Sequence, residues 1–154
     1  MHGARYAESV DTPGSEIAEA LGRLLQRSTR ARLYGRLTAG LDAALDEATY
    51  PVVSGLARLG PQSAAQLAAG IGIDRSVASR HATRLERAGL IERLPDPADQ
   101  RATLLSLTGR GHQAVQEMRR RLVAALDEYL APWPSGEAQR FAASLRRFTE
   151  EGPF

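Results

Sequence analysis

The sequence predicts a mainly α-helical chain interrupted by one short β-hairpin, and three observations carry that prediction. Apolar residues recur at three- and four-residue spacing over most of the 154 residues. Aromatic residues make up only 5% of the chain while Ala and Leu are frequent, a balance that favours helix. One stretch near residue 95 breaks the helical period, with two short runs of strand-forming residues around a tip rich in Pro and Asp.

Residues 1–14 mix Gly, Pro and polar types without an apolar period, and are expected to form a loose, flexible arm. From Ser15 onward Ile17, Leu21, Leu24 and Leu25, then Leu33, Leu37, Leu41 and Leu45, predict one long first helix, bent near Gly35. Asp46 is the expected cap of a second helix over 47–59, with Val52, Val53, Leu56 and Leu59 as its apolar residues. Pro51 falls in its first turn, where a missing N–H costs least, and Gly60-Pro61 ends it.

Ser63-Ala-Ala-Gln66 has the spacing of a capping box, so a short third helix starts there and runs to about Ala69. Gly70 and Gly72 permit positive φ in the turn that follows, and Asp74 is the expected cap of a fourth helix reaching about Ala88. Beyond Gly89, residues 90–94 read as a strand, 95–99 as a turn and 103–107 as the returning strand. Two short helices on a glycine turn, followed by a hairpin, make a winged helix-turn-helix over 47–107, with its recognition helix at 74–88 and its wing at 90–107.

Thr108 can cap a long fifth helix carrying Val115, Met118, Leu122, Leu126, Tyr129 and Leu130 on one stripe, until Pro132-Trp133-Pro134 stops it. After Ser135 a last helix presents Phe141, Leu145 and Phe148. The flanking segments 15–46 and 108–154 offer more apolar face than a small core can cover. Ile17, Leu21, Leu24, Leu122, Leu126, Leu130, Phe141, Leu145 and Phe148 either pack on one another within one chain or, as a family resemblance favours, are expected to pack against a second copy of the chain, as a homodimer.

Composition removes several function classes. Cysteine is absent, which excludes disulfides, thiolate metal sites and thiol redox sensing. His2, His81 and His112 are scattered without metal-ligand spacing, and no nucleophile motif, phosphate-cradling glycine loop or paired-acid signature is present. Neither an enzyme nor a cofactor or metal site is expected. No window approaches the roughly 18 apolar residues of a membrane span, and the N-terminus lacks an apolar leader, so a cytoplasmic location and no membrane partner are expected.

A net charge of +2 is too small to argue for nucleic acid by itself, so its placement must carry the argument. On the fourth helix Ala78, Ala82 and Leu85 cluster on one side. Ser76, Arg80, Thr83 and Arg87 point the other way, flanked by Val77, Ser79 and Arg84, and from Arg75 to Leu90 four arginines face the single acid Glu86. Such a face suits the major groove, where arginine donates two bonds to guanine and hydroxyls bond bases or phosphates. Ser63, at the start of the preceding helix, joins this set. At the hairpin tip Asp99 stands two residues before Arg101 and is expected to hold its guanidinium and aim it at a minor groove, with Arg93 a candidate phosphate contact. The competing readings are a solvated polar helix face, a winged helix used for protein contact, and an architectural binder indifferent to sequence.

From Gly60 to Gly111 the chain resembles the MarR (multiple antibiotic resistance regulator) family. The resemblance rests on Ser63-Ala-Ala-Gln-Leu-Ala68, Ser76-Val-Ala-Ser-Arg80, Leu85-Glu-Arg-Ala-Gly-Leu90, Asp96-Pro-Ala-Asp-Gln-Arg101 and Leu107-Thr-Gly-Arg-Gly111. It implies a triangular homodimer of six-helix chains with the wing after the fourth helix. It also implies a repressor that leaves its DNA when a small aromatic or phenolic molecule fills a crevice beside the DNA-binding part. Tyr34, Tyr50 and Trp133 are candidate lining for that crevice, because they combine flat apolar surface with a polar edge. Val77-Ala78 replaces the family's usual Thr-Val, and Gln100 stands where a basic residue is common.

Overall fold

The computed structural model describes residues 12–99 and 101–153, so most of the expected N-terminal arm, with His2, and also Gln100 lie outside the described residues. The chain divides into two compact units, one ending at Val115 and one running from Gln116.

In the first unit, α1 (Pro13–Leu25) opens on a capping box in which Thr12 and Ser15 satisfy each other's backbone. Pro13 and Gly14, expected in the loose arm, therefore already belong to a helix, since proline is tolerated in a first turn. The expected single long helix is two. Gln26, with extended ψ of 136°, separates α1 from α2 (Arg27–Thr38), and its carbonyl accepts the amides of Thr29 and Arg30. Nothing in the neighbouring residues explains the break. Leu41 and Leu45 do not continue α2. The Thr38 hydroxyl turns back to the Tyr34 carbonyl at 2.9 Å, Gly40 takes φ of 70°, and 39–49 forms a series of turns that buries Ala44 and Leu45.

α3 (Tyr50–Leu59) starts later than expected, because Asp46 spends its carboxylate on the amides of Ala48 and Thr49 in the turn before it. The capping box of Ser63 and Gln66 is present at the head of α4 (Ala64–Ile71). Of the two glycines expected to share the turn, only Gly72 is left-handed, at φ of 70°. Gly70 lies within α4, where a side chain would meet Leu59 Cδ1 at 2.8 Å. α5 (Arg75–Arg87) follows with Asp74 at the cap position but without a side-chain cap bond. β1 (Ile91–Pro95) and β2 (Thr103–Leu107) pair antiparallel with Ile91 opposite Leu107.

The core of this unit is made by Leu37, Val52, Val53, Leu56, Leu67, Ala78, Ala82, Leu85, Leu90, Ile91 and Leu105, all buried. Gly55 lets α3 lie close on α4, since an added Cβ would stand 2.6 Å from Ile71 Cγ2. Outside the hairpin, Gln62 and Leu105 exchange backbone bonds of 3.1 and 2.7 Å, which ties β2 to the residues just before α4.

α6 (Gly109–Leu130) begins on Thr108, whose hydroxyl accepts the Gly111 amide at 3.1 Å and donates to the Gly89 carbonyl at 2.7 Å. In the second unit the rest of α6 is followed by α7 (Glu137–Glu151). Seven helices are thus seen among the described residues, where the resemblance implied six, because the first is divided at Gln26.

Candidate nucleic-acid interface

α5 can lie on the body of the winged helix because its inner side carries small and apolar residues: Ala78, Ala82 and Leu85 are each fully buried. That fixes the opposite side outward, where Arg75, Ser76 and Arg80 are exposed and Val77 and Ser79 half-buried. Arg75, Arg80 and Arg87 make no hydrogen bond or ion pair among the described residues. Their guanidinium donors are therefore available to a ligand. A cleft of about 560 Å³ runs beside this helix, lined by Ser79, Arg80, Thr83 and Arg87 on one wall and Asp42 to Ala44 on the other.

Apart from Arg87, the outward side chains over the last turns of α5 are engaged within the protein. Arg84 reaches Asp46 at 2.6 Å and the Ala43 carbonyl at 2.7 Å. Arg93, expected to touch a phosphate, crosses from β1 to Glu86 at 2.9 Å and to the Thr83 hydroxyl at 3.3 Å. Thr83 in turn donates to the Ser79 carbonyl at 3.0 Å. Burial raises the Asp46 carboxyl, but the Arg84 bond and the amides of Thr49 and Ala48 outweigh it and hold the group below its ordinary 3.8. His81, on the inner flank of α5, is pushed below its ordinary 6.5 by burial; Asp46 opposes this, and Arg80 and Arg84 add to it.

At the wing tip Asp99 does not hold the Arg101 guanidinium. Its carboxylate accepts the Arg101 backbone amide at 2.9 Å, because a side chain two residues back closes an Asx-type turn more readily than it follows a long arginine. Asp96 does the same for Ala98 at 2.8 Å. Arg101 is exposed and unpaired among the described residues, at the end of a tip stiffened by two aspartates. Ser63 Oγ accepts the Gln66 amide at 3.2 Å, which leaves its hydroxyl proton to donate outward.

A smaller hollow of about 240 Å³ opens between α2, α3 and α5, lined by Arg27, Arg30, Tyr34, Glu47, Ile73 and His81 among others. Tyr34 and Tyr50 stack with ring centres 4.2 Å apart. Trp133 belongs to the second unit, where it meets the edge of Tyr129 at 6.0 Å and Phe141 at 5.5 Å. Sequence reasoning missed Arg27 and Arg30, although their spacing to Tyr34 of seven and four residues puts all three on one helix face. Of the residues expected at a dimer interface, Ile17, Leu24, Leu126, Phe141 and Leu145 are exposed, whereas Leu21, Leu122, Leu130 and Phe148 are half-buried. No group of His, Asp or Glu among the described residues could hold a metal ion.

Residues 45–103 match the model of the MarR family. Over 106 residues, 69% of this chain and 74% of the relative, the chain is 29% identical to YxaD of Bacillus subtilis, an uncharacterized HTH-type transcriptional regulator. Its fold is similar to that of RV1404 from Mycobacterium tuberculosis, with a TM-score of 0.72 and 26% identity over 99% of this chain and all of that one. The PcaV transcriptional regulator of Streptomyces coelicolor, solved in complex with its natural ligand, matches at a TM-score of 0.54 and 23% identity, over 97% of this chain and 98% of its own.

Proposed function

We propose that the chain, whose residues 45–103 match the model of the MarR family, is a transcription regulator of that family and binds an inverted-repeat operator in double-stranded DNA as a homodimer. In this reading it represses transcription in the cytoplasm until a small molecule binds. The observation that carries it is the pairing of an acid-free outer face on the first turns of α5 with an exposed arginine at the wing tip whose guanidinium is unpaired among the described residues. Arg75, Ser76, Val77, Ser79 and Arg80, with Thr83 at the edge, face the major groove. Ser63 donates to a phosphate, and Arg101 enters the adjoining minor groove from a tip that Asp99 stiffens.

The exposed apolar residues of α1, α6 and α7 support the homodimer, since Leu24 is 63% and Leu126 49% exposed in the single chain. A twofold pair would present its recognition helices about one helical turn apart, roughly 34–36 Å. The hollow beside α5 supports the effector. Tyr34 supplies a ring on which a small aromatic or phenolic molecule can lie, and Arg27 and Arg30 favour an anionic one. A ligand there shifts the dimer away from its DNA-competent form by its differential affinity for the two forms.

Titration of a duplex selected from genomic fragments, against random duplex at the same salt, tests the reading. Specific binding should exceed non-specific binding by at least about 10³-fold. Hydroxybenzoic acids should release the complex, and Tyr34→Ala should blunt that release. Equal affinity for both duplexes would instead identify an architectural binder.

A further inference from the structure

Two arginines converge on the turn between α2 and α3 and tie it to the far end of α5. Arg84 grips Asp46 Oδ2 and the Ala43 carbonyl, at 2.6 and 2.7 Å. Arg110, in the first turn of α6, spans the Ala88 carbonyl at the end of α5 and Asp42 Oδ2, at 2.8 and 2.5 Å. Each aspartate uses its other oxygen on its own turn: Asp42 Oδ1 accepts the Ala44 amide at 2.8 Å, and Asp46 Oδ1 the Ala48 and Thr49 amides. Thr49, fully buried, locks the turn from beneath by donating to the Ala44 carbonyl at 2.7 Å and accepting the Asp46 amide at 3.0 Å. The turn is thus ordered independently of the two arginines that hold it.

We propose that the 42–46 turn is a clamp on the recognition helix, and that Arg84 is a positioning residue which sets that helix in its groove without touching DNA. The inference rests on the DNA-binding reading above. A planar guanidinium seated on a carboxylate and a carbonyl spends one donor of each terminal nitrogen on the turn, a forked geometry that a lysine at this site could not reproduce. Its charge is already matched by Asp46, so it displaces no counterion from a phosphate. Asp46 and Asp42, which would repel a phosphate on their own, are neutralised by the same contacts.

The test compares the full-length wild type, Arg84→Ala, Asp46→Asn and the double variant on a duplex selected from genomic fragments, between about 50 and 200 mM salt. Each single variant should bind about tenfold more weakly, comparable to one misread base pair, and the double variant no more weakly than either. The slope of log affinity against log salt should stay that of the wild type. A slope smaller by about one for Arg84→Ala, with Asp46→Asn binding as well as the wild type, would make Arg84 a phosphate contact and overturn the proposal. Losses that add in the double variant would overturn it too. Should Arg84→Ala unfold by circular dichroism, the exchanged pair Arg84→Asp with Asp46→Arg decides: recovered affinity over Arg84→Asp alone supports the clamp, and its absence from a folded protein sinks it. A wild type that forms no salt-sensitive complex removes the DNA-binding reading, whereas normal wild-type binding with unmoved variants removes the clamp alone.

Discussion

The two ends of α5 are built from the same residue types and treated in opposite ways. Over its first turns Arg75, Ser76 and Arg80 reach solvent without a partner among the described residues, while over its last turns Thr83, Arg84 and Glu86 are bonded to residues from the turn before α3 or from the wing, and there only Arg87 among the outward side chains is left out of these bonds. An arginine on a helix surface is therefore not a DNA contact by residue type. What distinguishes the two ends is whether a charged partner from elsewhere in the fold arrives within reach, the Asp46 carboxylate or the Arg93 guanidinium, and that divides the helix into a part left open, which the proposed function assigns to DNA, and a part that is held.

Variants can break this division. Leu85→Ala, on the buried side of the held end, should lower stability by about 2–5 kcal/mol in denaturant titration, because Leu85 is fully enclosed. Arg80→Ala should leave stability within roughly 0.5 kcal/mol. It should nevertheless cost about 1–3 kcal/mol of operator binding and relax base preference at one position. Equal loss on operator and random duplex would place Arg80 on the backbone instead. Arg93→Ala releases Glu86 and Thr83, yet with side chains about one third exposed it should change stability by no more than about 1 kcal/mol.

The smallest effect concerns pH. The His81 imidazole has a folded pKa below 6.5, so the unfolded chain binds the proton first as pH falls. Stability from this group is full above about 6.5 and declines as pH drops through that value toward the folded pKa. Denaturant titrations at neutral and mildly acidic pH should show that decline in the wild type and not in His81→Gln.

Most of the winged helix was legible in the sequence because its signals are local. The Ser63–Gln66 capping box, the glycine turn and the short strand-forming runs on either side of the hairpin tip each lie within a few residues and act through the backbone they sit on. What could not be read is long-range or cooperative. Leu41 and Leu45 keep helical spacing, but burial in the core decides their turn conformation. The Arg84–Asp46 pair joins positions 38 residues apart, and no local rule indicates that Asp46 would meet a helix beyond α4. At the tip the residue pair was found but its bond was not. Asp99 and Arg101 are adjacent as expected, and the backbone amide competed successfully for the carboxylate.

The backbone exchange between Gln62 and Leu105 has a mechanical consequence. It joins the base of the hairpin to the residue just before Ser63, so the strand that leads from the wing tip and the head of α4 are held to one another through the backbone. If the proposed function holds, a duplex whose minor groove is too wide or too narrow under the wing would be expected to leave Ser63 away from a phosphate. On that proposal groove shape would be gauged by the tie between two elements, even where no side chain reads a base.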